Sequence, residues 1–177
     1  MNTLSTRVKL LGSVVVMSVI LWFGGSVVRM AIGYDLFIPG TLNLKHFLTP
    51  SEINYSIRVF ALTGFYTAVC YGVAWLSVLL LLIMVSKKLK ENGWLFMALI
   101  LFLLASPIEL YQIQFDIKLI QFTQNNEFRT LLGSSQFFEI FMQKFTPKLS
   151  GLGFVSILAN GIAILFCIWQ PLKKVNK

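Results

Sequence analysis

Residues 71–94 read YGVAWLSVLLLLIMVSKKLKENGW, in which a long apolar stretch ends abruptly in a short basic turn. The apolar stretch starts further upstream, so at about 1.5 Å per residue it can cross a hydrocarbon layer of about 30 Å as a helix. Lys87, Lys88 and Lys90 lie in the turn, and a new apolar stretch begins at Trp94. This pattern predicts two membrane-spanning helices joined by a tight basic turn.

Two further apolar stretches flank this pair, and the composition agrees with a membrane protein. Of 177 residues, 56% are hydrophobic and 12% are charged, whereas about a quarter of a soluble domain is charged. We predict a single all-α membrane domain, residues 1–177, built as an up-down bundle of four transmembrane helices. The predicted spans are residues 10–32, 55–86, 94–112 and 149–170, with outer segments at 33–54 and 113–148.

The basic residues predict the orientation of the chain. The two terminal segments and the turn carry eight Lys or Arg against one acid, Glu91. The eight are Arg7, Lys9, Lys87, Lys88, Lys90, Lys173, Lys174 and Lys177. On the other side acids and bases nearly balance, so the positive-inside rule places both termini in the cytoplasm. We expect a plasma membrane, specifically a bacterial inner membrane. The net charge of +8 is explained by orientation, so we expect a lipid bilayer partner and no nucleic acid.

The outer segments carry local helix signals. Thr49-Pro50-Ser51-Glu52 is typical of a helix start with a capping box, which predicts a second helix of roughly 36 residues, longer than the bilayer core. Between the third and fourth spans, residues 127–145 predict an amphipathic outer helix with Phe138, Phe141 and Phe145 on one face. This helix could lie on the membrane, cap the bundle or dock a partner.

Three charged residues near the outer ends of different spans are candidates for an ion pair. Arg29, Arg58 and Glu109 belong to the first, second and third spans. Charged groups near a membrane tend to pair or face a cavity, so Glu109 could pair with Arg29 or Arg58. The alternative is that all three extend separately to the lipid headgroups. Ser106-Pro107 predicts an interruption of the third span near the same end.

Two further features concern contacts inside the membrane. Gly64, Ala68 and Gly72 form a stripe of small residues on the second span, which favours close helix packing within the bundle or with another chain. Asn160 lies near the middle of the fourth span. A buried asparagine there predicts a hydrogen bond across helices, or a polar path for a small solute.

The sequence contains no recognisable catalytic set, metal-ligand cluster or cofactor motif. We therefore expect no enzyme activity, no cofactor and no metal. The leading interpretation is a non-catalytic membrane protein that acts through helix–helix contacts, as a small subunit, assembly factor or accessory protein, with a membrane-protein partner or as a homo-oligomer. The alternative is a small transporter, channel or lipid- or quinone-binding protein. An internal polar cavity that reaches Asn160 would favour the alternative, whereas a dry core with an apolar, grooved lipid-facing surface would favour the partner-binding role.

Overall fold

The computed structural model describes residues 5–86, 89, 92–125 and 135–171. These residues form five helices and, within these ranges, no strand. The helices are α1 (Thr6–Asp35), α2 (Pro50–Val85), α3 (Gly93–Asn125), α4 (Ser135–Gln143) and α5 (Pro147–Trp169). Four of them, α1, α2, α3 and α5, are long and apolar enough to cross a membrane. The predicted all-α fold, with four spans and a short helix between the third and fourth, is confirmed.

Helix α2 begins at a capping box, as the sequence predicts. Glu52 donates its backbone N–H to Thr49 Oγ1 over 3.4 Å, and Glu52 Oε2 accepts the Thr49 backbone N–H over 2.7 Å. The helix then runs for 36 residues, or about 54 Å at 1.5 Å per residue. The helix is therefore longer than the thickness of the bilayer core, about 30 Å.

Helix α3 continues further than the sequence indicated. It runs through Pro107 without ending and reaches Asn125, so the interruption predicted at Ser106-Pro107 is wrong. A proline removes one backbone N–H from the helix, and the many hydrogen-bonded turns before and after Pro107 keep the helix continuous. Ser106 Oγ donates to the carbonyl oxygen of Phe102 over 2.9 Å in the turn before the proline. As a result Asp116, which the sequence assigned to the second outer segment, is a buried residue of α3.

The spanning helices pack in chain order. The extensive contacts join α1 to α2, α2 to α3, and α3 to α5, while α1 and α5 pack less closely against each other. The buried apolar side chains form two clusters. The inner cluster consists of Val19, Trp22, Tyr71, Ala74, Val78, Leu81, Val85, Leu99 and Phe102. The outer cluster consists of Leu36, Phe37, Ile57, Phe60, Ala61, Leu119, Ile120, Phe137, Phe141 and Phe145.

Helix α4 caps the predicted outer end of the bundle. Phe141 is fully buried, and its ring centroid lies 5.1 Å from that of Phe60 and 4.9 Å from that of Phe145. Of the three alternatives for this segment, residues 135–145 therefore take the role of a cap. Residues 127–134 of the predicted amphipathic helix lie outside the described residues.

The first outer segment folds back on itself. Its bounds are the end of α1 and the start of α2, and it contains a bridge between Phe37 and Leu44. Gly40 has φ +79°, and Thr41 donates its N–H to the carbonyl oxygen of Ile38 over 3.0 Å. Proline followed by a glycine with positive φ is typical of a type II turn. Phe37 is thereby held in the outer apolar cluster.

Candidate functional site

A cavity of about 320 Å³ lies in the predicted outer half of the bundle. All four spanning helices contribute to its wall, and two of them, α1 and α5, pack less closely against each other than helices adjacent in the chain do. Tyr34 and Phe154 line it while remaining 47% and 63% exposed, so the cavity opens to the surroundings of the bundle. The volume lies at the lower end of the range typical of small-molecule sites.

Three charged side chains meet at the wall of this cavity. Arg29 and Asp116 form a bidentate pair: Nη1 donates to Oδ2 over 2.8 Å and Nη2 donates to Oδ1. Lys144 Nζ lies 2.6 Å from the same Oδ1. The side chains of Arg29, Asp116 and Lys144 are 10%, 4% and 9% exposed. One carboxylate therefore binds two cations in a largely buried position. We call these residues the charged triad.

The arginine of the triad is held on several sides. Its Nε donates to the carbonyl oxygen of Phe60 over 3.2 Å, and its Cζ lies 4.0 Å from the centroid of the Phe60 ring. Gly64 provides the space for the guanidinium, since a Cβ built there would lie 2.9 Å from Arg29 Cζ. A glycine in this turn of α2 therefore allows a buried arginine between α1 and α2.

Glu109 lines the same cavity at a deeper level. It precedes Asp116 by seven residues on α3, which places it about 10 Å further from the predicted outer end. It is 8% exposed, and Ser156 and Trp22 lie next to its carboxyl group. Among the residues that the structure describes, Glu109 has no ion-pair partner within 4.0 Å. Buried charged groups in spans are costly, which makes Glu109 a candidate functional residue.

Lys144 lies between α4 and α5, outside the spanning helices, and its environment changes its acidity. Burial, together with the charge of Arg29, lowers the pKa of Lys144 from 10.5 to about 8, although Asp116 and Glu109 both favour the charged form. The ammonium group is therefore still mostly protonated at neutral pH. Lys144 is thus a buried cation whose pKa is close to neutral pH.

The predicted ion pair involving Glu109 differs from the arrangement in the structure. Arg29 and Glu109 line one cavity, but the carboxylate bound by Arg29 is that of Asp116. The reason is that α3 stays helical past Gln112 and carries Asp116 to the level of Arg29. Arg58 is exposed and is not part of the cavity wall.

Sequence reasoning missed Asp116 and Lys144 as site residues because both were assigned to an outer segment. A signal for Asp116 was present in the sequence. Glu109, Gln112 and Asp116 are spaced three and four residues apart, and this spacing places them on one face of a helix. Lys144 had no comparable signal, since its position depends on how α4 caps the bundle.

The small-residue stripe on α2 does not form one continuous contact. Gly64 packs against Arg29 and Ala68 lines the cavity. Gly72 is exposed, and a Cβ built there meets no atom of the described residues within 4 Å. Packing within the chain therefore uses the outer part of the stripe, and Gly72 faces away from the bundle.

Asn160 is buried, with 1% exposure, on α5. Its Nδ2 donates to the carbonyl oxygen of Ser156 over 2.9 Å, within its own helix. Its Oδ1 has no hydrogen-bond partner among the described residues. The residue does not line the cavity. The predicted bond across helices is thus replaced by a bond to the preceding turn, since Ser156 is one turn earlier on the same face.

Comparisons with protein-family models, curated proteins and solved structures found no match for this chain. Within the described ranges, no group of three or more His, Cys, Asp or Glu side chains is arranged to hold a metal ion.

Proposed function

We propose that this protein binds a membrane amphiphile, such as a lipid, in the charged cavity. The observation that carries the proposal is a cavity lined by both charged and aromatic side chains, with a rim that includes the half-exposed Tyr34 and Phe154. A ligand with a polar head and an apolar tail matches such a wall, because the head meets charges and the tail meets apolar surface. This function belongs to the alternative class weighed from the sequence, lipid or quinone binding.

The depth of the charged triad supports this proposal. Arg29 lies 23 residues after the start of α1, and Asp116 lies 23 residues after the start of α3. At 1.5 Å per residue both are about 35 Å from the inner ends of their helices. Because the hydrocarbon core is about 30 Å thick, this level is close to the headgroups of the outer leaflet. A lipid entering from the side would bring its headgroup to the triad.

The side of entry follows from helix packing. Helices α1 and α5 flank the cavity but pack less closely than helices adjacent in the chain. Apolar chains of lipids surround the bundle at this position, so an acyl chain could lie between Met30 and Phe154 while the headgroup is bound above. The proposal places the protein in a bacterial inner membrane with both termini on the cytoplasmic side, as the sequence predicts. It also includes a non-catalytic role.

The proposal is tested by filling the cavity and measuring bound lipid. Ala68→Phe adds a ring to a half-buried residue that lines the cavity. Val69→Phe is the matched control, since Val69 is the next residue and is 49% exposed on the outside of α2. Each chain is purified in detergent, exchanged into lipid-free detergent, and extracted for mass spectrometry.

We expect the wild type and Val69→Phe to retain stoichiometric lipid and Ala68→Phe to lose most of it. Size-exclusion profiles of the wild type and the two variants test whether all three proteins are folded. Equal lipid retention by folded Ala68→Phe, or no retention by the wild type, would contradict the proposal.

A second candidate function, action through helix contacts with another membrane chain, is favoured by Gly72. This glycine is exposed and has open space around it on the face that meets lipid. Small residues on such a face allow a second helix to approach closely. Gly72→Leu should therefore leave the fold intact and abolish co-purification of a partner chain or a homo-oligomer. A partner that survives this substitution would argue against contact at Gly72.

A further inference from the structure

We propose that the cavity recognises an anionic group, a phosphate or a carboxylate, and that Lys144 is the side chain that binds it. This inference rests on the proposed function, because it specifies the headgroup of the bound amphiphile. Three observations carry it: the local excess of positive charge in the triad, the unused ammonium protons of Lys144, and the position of Lys144 just before α5.

The triad carries more positive than negative charge at its own level of the cavity. Arg29 and Lys144 share Asp116, which leaves one positive charge in excess among these three residues. Glu109 lines the same cavity about two turns deeper on α3 and also acts on Lys144, so the positive excess is confined to the level of the triad. An anion beside Lys144 would meet this local excess, whereas a cation there would be repelled by both basic side chains.

The two cations differ in how they are held. Arg29 uses three of its five N–H groups, one for the Phe60 carbonyl oxygen and two for Asp116, and its guanidinium is packed between the Phe60 ring and Gly64. Lys144 has three ammonium protons, and its partner among the described residues is one oxygen of Asp116. Lys144 can therefore donate to a ligand while keeping its bond to Asp116. Arg29 and Asp116 act as positioning residues that hold this ammonium group.

The start of α5 adds a backbone donor near Lys144. Leu149, in the first turn of α5, lines the cavity, whereas the N–H of Ser150 already donates to the carbonyl oxygen of Thr146 over 2.9 Å. Thr146 precedes this helix but makes no side-chain cap, since its Oγ1 donates to the carbonyl oxygen of Gln143 over 2.8 Å. Amide groups in an uncapped first turn carry partial positive charge and favour anions. They supplement the buried cation and do not define the site by themselves.

The anion could come from two sources. A phospholipid headgroup would arrive from the outer leaflet through the gap between α1 and α5. A free phosphate or carboxylate would arrive from the outer surface, where a groove shares Tyr34, Phe145 and Ser150 with the cavity. Both have the same recognition chemistry, charge-assisted hydrogen bonds from Lys144.

The test is a binding titration of the full chain in detergent with short-chain lipids that differ in headgroup. Phosphatidylglycerol is the anionic probe, phosphatidylcholine the zwitterionic probe, and a trimethylammonium diacyl lipid the cationic probe. The variants are Lys144→Gln, Lys144→Arg and, as the matched control, Lys118→Gln. Lys118 is exposed on α3 close to Asp116 and does not line the cavity. Lys118→Gln therefore removes one positive charge, as Lys144→Gln does, but outside the cavity.

We expect phosphatidylglycerol to bind most tightly to the wild type. Lys144→Gln should weaken this binding by about tenfold, the size typical of one lost charge-assisted hydrogen bond. Lys144→Arg keeps the charge and should retain tighter binding than Lys144→Gln, and Lys118→Gln should bind as the wild type does. Thermal unfolding of each variant establishes that the Gln variant is folded.

The outcomes separate this inference from the proposed function. Equal affinity for the three headgroups, or unchanged phosphatidylglycerol binding by Lys144→Gln, overturns the anion inference and leaves amphiphile binding intact. No binding of any lipid overturns both. Inorganic phosphate is the fourth probe: if it competes with phosphatidylglycerol for the wild type and not for Lys144→Gln, the anion inference is supported for a free anion as well.

Discussion

Replacing Asp116 by Asn tests whether the charged triad stabilises the bundle. In the wild type Asp116 accepts two N–H groups of Arg29 and lies 2.6 Å from Lys144 Nζ, with both cations about nine-tenths buried. Asparagine has nearly the same shape but no charge, so it leaves two buried cations without a counter-charge. The packing of α3 is otherwise unchanged.

The expected cost follows from these contacts. Removing one partner of a buried ion pair typically costs about 3–5 kcal/mol. Lys144 can reduce the cost of being an unpaired buried cation by losing its proton. Arg29 stays charged and keeps its hydrogen bond to the Phe60 carbonyl oxygen. We therefore expect a loss of about 4 kcal/mol, or roughly a thousandfold change in the unfolding equilibrium constant.

The assay is reversible unfolding in mixed micelles with increasing dodecyl sulfate, followed by circular dichroism. Asp35→Asn is the matched control, because Asp35 also pairs with a lysine, Lys45, over 2.7 Å but its side chain is 82% exposed. An exposed pair contributes at most about 1 kcal/mol. The combined replacement of Arg29 by Met, Asp116 by Leu and Lys144 by Met removes all three charges and should recover stability to within about 1 kcal/mol of the wild type.

Two results would refute this reasoning. If Asp116→Asn were no more destabilising than Asp35→Asn, the triad would contribute little to the fold. If the triple apolar variant were as unstable as Asp116→Asn, the loss would arise from shape or packing and not from unpaired buried charge.

Gly33→Ala should destabilise the protein by about 1–3 kcal/mol, because the added Cβ would lie 2.5 Å from Phe145 Cζ. In the matched control Gly24→Ala, on the same helix, the added Cβ meets no described atom within 4 Å, so the change should be neutral or stabilising by up to about 1 kcal/mol. Equal effects of the two substitutions in the same unfolding assay would contradict the close contact of Gly33 with Phe145. Thr49→Ala removes the cap of α2 and should cost about 1 kcal/mol of unfolding free energy, and no loss would argue against the capping box. The pH prediction concerns Lys144, whose pKa in the folded protein is about 8, below the ordinary 10.5. Between these values the unfolded chain binds more protons at this residue, so its contribution to stability rises with pH. The unfolding free energy of the wild type, relative to that of Lys144→Met, should increase from pH 8 to pH 10. A flat difference would show that folding does not lower the pKa of Lys144.

Much of the fold could be predicted from local sequence. The spans follow from apolar length, and the start of α2 follows from Thr49 and Glu52, because a capping box satisfies the first backbone N–H groups of a helix with side chains close in sequence. The turn at Gly40 follows from proline and glycine in the order that a type II turn requires. These features depend on interactions between residues a few positions apart.

The candidate site could be predicted in part. Arg29 and Glu109 were singled out as charged residues at the predicted outer ends of their spans, and both line the cavity. The partner of Arg29, Asp116, was not found, because Pro107 predicted an interruption of the third span and the helical spacing between Glu109 and Asp116 was not used. Proline predicts the loss of a hydrogen bond, but neighbouring turns and packing determine whether the helix ends there.

The sequence by itself determined how many times the chain can cross a membrane, since burying a backbone in lipid requires a helix and an apolar length of about 20 residues. It also determined the start of α2 and the charge difference between the two predicted sides. The tertiary structure decided which charges meet. Asp116 is 87 residues from Arg29 and is joined to Lys144 by the way α4 and α5 follow α3. Such pairing depends on how each helix is rotated about its axis and how deep it lies in the bundle. Both are determined by packing between helices and not by a local sequence pattern.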